Sequence, residues 1–99
     1  VAIVRQPVGP VGNLAEADAA ASALAGELAA VRTEGRTPRQ VEYQQRRIRR
    51  RYIRSHLKAA GVDLGRYDEG IVQWLSRQEE VRFIVTVLGW VLRSKGVNR

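Results

Sequence analysis

The 99-residue chain has no cysteine, which removes disulfide scaffolding and thiolate metal sites together. It has a single histidine, His56, so no paired imidazoles exist to hold a metal. There is no HExxH and no glycine-rich phosphate loop. Ser55 and His56 are adjacent, so on a helix they point about 100° apart and cannot act as nucleophile and base. The sequence thus lacks the residues of an enzyme and implies no cofactor and no metal. Its longest apolar stretch, Val81 to Leu92, is interrupted by Arg82, Thr86 and Gly89 and falls short of the ~20 residues that span a bilayer. The first seven residues, Val1 to Pro7, have no basic region and too short an apolar run for a secretory signal. Cytoplasmic residence is the expectation.

Acidic residues are also scarce, and unevenly so. Lys+Arg number 17 against 10 Asp+Glu, a net +7, which implies an anionic partner. Residues 36–58 hold nine basic residues and one acid, Glu42, or +8. The rest holds eight basic and nine acidic residues, or −1. The whole excess therefore sits on one segment. An apolar fraction of 44% is ordinary for a folded domain, so the charge does not mark a disordered tail.

The pattern predicts an all-α fold, a compact four-helix domain over residues 13–99 preceded by a flexible N-terminal arm, 1–12. Pro7, Gly9, Pro10 and Gly12 keep the arm non-helical. Asn13-Leu14-Ala15-Glu16 has the form of a capping box, and Ala-rich sequence follows it. Leu14, Ala17, Ala21, Leu24, Leu28 and Val31 form a 3-4-3-4-3 seam suited to a neighbouring helix, with Gly35 as the expected stop. Thr37-Pro38-Arg39-Gln40 starts a second helix, with Thr37 as cap and Pro38 at the first helical position. It should run to about Ala60 and end at Gly61. At 100° per residue, Val41, Ile48, Tyr52, His56 and Ala59 share its apolar face, Ile53, Leu57 and Ala60 extend that face to one side, and Arg39, Tyr43, Arg46, Arg47, Arg50 and Arg54 lie roughly opposite. A third helix from Arg66 to Arg77 should bury Ile71, Val72, Trp74 and Leu75. Ser76-Arg77-Gln78-Glu79 suggests a break and the cap of a fourth helix through Ser94, with Gly96 beyond it. Val81 to Val87 is rich in β-branched residues, but no second strand-like run exists to pair with it. A central, mostly buried helix is expected there.

The informative stretch is Gln45 to Lys58, with seven basic residues and no acid. Like charges at i, i+4, such as Arg46/Arg50/Arg54, cost an isolated helix roughly 0.2–0.5 kcal/mol per pair. An external polyanion would explain their retention, since the guanidinium fork suits phosphate. The expectation is nucleic-acid binding, DNA ahead of RNA, with Arg39, Arg46, Arg47, Arg50, Arg51, Arg54 and Lys58 on phosphates and Tyr43 as a stacking or groove contact. The plain alternative is a solvated face partly paired with Glu16, Glu27 and Glu34 of the first helix. A rival of another class is a protein–protein module, either a homo-oligomer or a small accessory or inhibitor subunit, using the Leu14–Val31 seam. Phe83, Val87 and Trp90 are surplus apolar residues for so short a chain and point the same way. An acidic protein would compete for the same arginines. An anionic membrane surface is the weakest candidate, because the apolar face of the basic helix is small. His56 reads as a core histidine, and Asp68-Glu69 and Glu79-Glu80 as acids favoured at helix starts.

Overall fold

The computed structural model describes residues 10–94. Four helices follow one another, α1 (Leu14–Ala29), α2 (Pro38–Ala59), α3 (Arg66–Ser76) and α4 (Val81–Ser94), and the described residues contain no strand. The fold is all-α, as the periodicity predicts. Residues 1–9 of the expected arm, and Gly96, lie outside the described residues.

Local signals account for most helix ends. The Asn13 side chain accepts from the Glu16 amide at 2.9 Å. Glu16 reaches back one residue further than a capping box requires and accepts from the Gly12 amide. At the start of α2 the box is complete, with Thr37 Oγ1 accepting from the Gln40 amide at 3.1 Å and Gln40 Oε1 from the Thr37 amide at 2.8 Å. Its end is a Schellman motif, in which Val62 N donates to Leu57 O and Gly61 N to Lys58 O. Gly61 takes φ +76° there, a left-handed conformation that costs other residues about 1–2 kcal/mol.

Two expected ends move. α1 stops at Ala29, not at Gly35. Past it the chain meets β-branched Val31 and Thr33, and Gly35 (φ +71°) instead serves the turn closed by Arg36 N to Thr33 O. Ser76 does not cap α4; it is the last residue of α3, and its hydroxyl donates to Gln73 O. At the start of α3 only half a box forms, Asp68 accepting from the Gly65 amide.

All four helices contribute to one core. Ala21 and Leu24 of α1, Tyr52 and Ile53 of α2, Val72 of α3, and Ile84, Val85 and Leu88 of α4 form a single buried cluster. Burial of Ile84, Val85, Leu88 and Leu92 holds α4 helical despite its β-branched residues, since packing overrides propensity. However, α4 is not mostly buried. Phe83 (71% exposed), Val87 and Trp90 (58%) face outward at i, i+4, i+7 spacing. The third helix departs in the same way. Val72 is buried and Leu75 half-buried, but Ile71 and Trp74 (53% exposed) lie outside with Tyr67. Each of these two helices carries two apolar stripes, and only one of them fits against α2.

Candidate nucleic-acid interface

α2 lies across the core and divides its residues by angle. Arg49, Tyr52, Ile53, His56 and Ala60 are buried. At 100° per residue the buried face is centred toward the Ile53 and Ala60 side of the expected one and away from Val41, Ile48 and Ala59. The shift leaves Ala59 exposed and brings Arg49 inside. Arg47, Arg50, Arg51, Arg54 and Lys58 then lie opposite, within an arc of about 100°.

Those five side chains, with Ser55, surround one shallow depression open to solvent. Nearer the N-terminus of α2, Arg39 and Tyr43 border a second depression together with Arg36 and Gln40. Tyr43 is exposed. All eight expected contact residues thus reach solvent, with only Arg50 half-buried; Arg46 lines neither depression and lies at the edge of the buried face.

Carboxylates neutralise part of this face. Arg46 Nε pairs with Glu42 at 2.9 Å, Arg51 with Glu27 at 3.1 Å, and Arg54 with Glu69 of α3. Of the three carboxylates expected to face the basic helix, only Glu27 does so. Glu16 is engaged at the cap of α1, and Glu34 makes no ion pair among the described residues. Nothing in the sequence singles out Glu69; it reaches Arg54 because α3 packs alongside α2. Arg39, Arg47, Arg50 and Lys58 make no ion pair among the described residues, so a positive surplus remains on the outer face.

Arg49 belongs to a different class. Its side chain is 3% exposed, and NH1 donates to the carbonyl of Ser76 at 2.9 Å. Glu42 is 3.8 Å away, and Arg49 Nε is buried without a partner. Ser76 O is one of the last carbonyls of α3, which lack intrahelical donors. The neighbouring ends are closed by Gln78, whose amide donates to Leu75 O and whose side chain donates to Trp74 O. A cation at a helix C-terminus is favoured. Arg49 therefore ties α2 to α3 and is unavailable to an external anion. The run Arg49-Arg50-Arg51 carries no local signal that separates its first member from the other two.

His56 is buried, as expected of a core histidine. Its Nδ1–H donates to Tyr52 O at 2.9 Å, and its ring lies 4.1 Å from the Tyr52 ring. Burial holds its pKa below the ordinary value, against the opposing pull of the Tyr52 carbonyl. Burial and the nearby Glu27 charge push the Tyr52 hydroxyl up to about 12.

The α1 seam is largely occupied inside the chain. Ala21 and Leu24 are core, Ala17, Leu28 and Val31 are half-buried, and Leu14 is 62% exposed. Leu14 and Ala17 instead line an apolar groove with Phe83, Val87 and Trp90 of α4. Set against models of known protein families, curated proteins and solved structures, the chain matches none.

Proposed function

We propose that this chain binds a polyanion, DNA before RNA, through the outer face of α2. The observation that carries the reading is the unpaired surplus of Arg47, Arg50 and Lys58, grouped with Arg51 and Arg54 around one depression. Carboxylates hold Arg46, Arg51 and Arg54 and leave the other three for solvent or a ligand. Five cations within about 100° of arc suit one side of a duplex backbone. Phosphate contacts position a protein without reading sequence, so the reading concerns backbone binding. Tyr43, with Arg36 and Arg39 beside it, supplies an aromatic face at one end on which a base can stack.

Fluorescence anisotropy with duplex DNA, single-stranded DNA and RNA over a salt series tests this. With three to five phosphates engaged on B-DNA, the slope of log K against log[salt] is expected at roughly −3 to −4.5. Changing Arg47, Arg50 and Lys58 together to Gln should leave helicity unchanged. It should also make the slope shallower by roughly 0.9 for each phosphate no longer neutralised. Absence of binding to all three ligands near 50 mM salt ends the reading.

The second reading, a protein-interaction module, is favoured by the outward Phe83 and Trp90 side chains. Monomeric proteins seldom leave large apolar groups clustered on the surface without a use.

A further inference from the structure

The apolar groove between α1 and α4 is unconnected with the basic face, and what covers it follows from its composition. Phe83, Val87 and Trp90 form a stripe along α4, and Leu14 of α1 stands beside it. At 71%, 62%, 58% and 38% exposure for Phe83, Leu14, Trp90 and Val87, the four residues leave on the order of 400 Å² open to solvent, backbone included. A standard interface takes ~800 Å² from each partner, roughly 60% of it apolar, or about 480 Å². One copy of this face therefore supplies at most the larger part of the apolar share of one side of a standard interface.

The stripe is also close to self-complementary. Phe83 and Trp90 flank Val87, so an antiparallel pair of α4 helices related by a two-fold axis near Val87 sets each Phe83 against the other copy's Trp90. Isologous interfaces have this form, with residue i meeting j and j meeting i.

Charge permits the pairing. Arg82 at the groove edge is held by Glu80 at 2.8 Å and by Asp18 at 3.4 Å. These contacts raise the Arg82 pKa and lower that of Glu80, so the rim is an ion-paired cluster of one cation with two carboxylates. The unpaired cations of α2 lie on the far side, because α2 and α4 meet through their buried faces. We infer that this chain self-associates through the α4–α1 face, with a second copy as the occupant of the groove. The inference stands independently of the polyanion reading.

Sedimentation equilibrium of the full chain from 1 to 200 µM is expected to show a monomer–dimer equilibrium. Phe83→Ser with Trp90→Ser should weaken it at least tenfold with helicity unchanged, whereas Tyr67→Ser with Trp74→Ser on α3 should not. Because the chain has no cysteine, Val87→Cys gives a second measurement that keeps the aromatic packing in place. Near the dyad it should oxidise to a covalent dimer faster than Tyr67→Cys does. A wild-type monomer throughout, or equal cross-linking at both positions, overturns the inference. The groove would then belong to a different protein or to the chain's own N-terminal segment. A dimer that survives the Phe83/Trp90 change overturns it also. Duplex binding measured on the wild type separates the two proposals. A wild-type dimer that binds no duplex removes only the polyanion reading, and a wild-type monomer that binds duplex removes only this one.

Discussion

Replacing Arg49 by Ala tests whether one arginine of the basic helix is a structural tie. Three quantities set the outcome. Removing a buried hydrogen bond from a charged donor, and stranding the Ser76 carbonyl, costs about 2 kcal/mol. The buried aliphatic stem is worth about 2 kcal/mol at ~0.8 kcal/mol per methylene. Against these, the mutant no longer desolvates a guanidinium whose Nε is unpartnered and whose nearest carboxylate is 3.8 Å away, which offsets about 1 kcal/mol. The net is a destabilisation of about 3 kcal/mol. At about 5 °C per kcal/mol for a domain of this size, Tm should fall by about 15 °C. Arg47→Ala, two positions earlier and exposed, should shift stability by less than about 0.5 kcal/mol. Circular dichroism melts of the two variants, with polyanion affinity measured well below either Tm, give opposite patterns. Arg49→Ala should change stability and leave affinity alone; Arg47→Ala should do the reverse. If Arg49→Ala melts within about 2 °C of wild type and binds as weakly as Arg47→Ala does, the buried placement of Arg49 is refuted.

Ile53→Ala should cost about 2–5 kcal/mol in urea denaturation, since Ile53 is fully buried; Ile48→Ala, half-buried, should cost less, and equal costs would contradict the rotation of α2. Gly61→Ala should destabilise by about 1 kcal/mol through the positive φ of the Schellman motif, an effect that Gly61→Asn should partly avoid. His56 is neutral in the fold, with its pKa lowered by burial, so the unfolded chain binds more protons below about pH 6.5. Its contribution is intact above that pH and is lost as pH falls toward the lower folded value. Urea midpoints should therefore drop between pH 7.5 and 5 in the wild type and drop less in His56→Leu.

Much of the fold is legible because its signals are local. Thr37, Pro38 and Gln40 define the start of α2 within four residues, and Gly61 its end. The assignment of Val81 to Val87 as helix rests on the lack of a pairing strand, an argument about backbone hydrogen bonds that outweighs β-propensity. What periodicity does not carry is rotation. Ile71 and Trp74 sit beside Val72 and Leu75, and spacing alone does not say which pair meets α2. The same ambiguity hides Arg49. An apolar face centred on Tyr52 and His56 is visible in the sequence, but its width and centre depend on how α3 and α4 lie against it. Phe83 and Trp90 stand out as surplus apolar residues, yet their outward direction depends on α4 packing through Ile84, Val85 and Leu88.

The two proposed surfaces constrain one another through their geometry. The outward stripes of α2 and α4 each lie about opposite the core that the two helices share. Pairing two copies through α4 would then put the two basic faces on the outside of the dimer, directed away from each other. Such a dimer cannot clamp one duplex between its basic helices. It would instead offer two separate phosphate-binding faces, each free to engage a different segment. Repulsion between the two +8 segments would be weak, since exposed charges separated by more than a Debye length of ~10 Å at 0.1 M salt are largely screened. Linking two sites in this way multiplies effective concentration only when both can reach the same polyanion. Affinity for a short duplex should accordingly be almost the same for monomer and dimer, while a long duplex able to fold back, or two duplexes brought together, should favour the dimer.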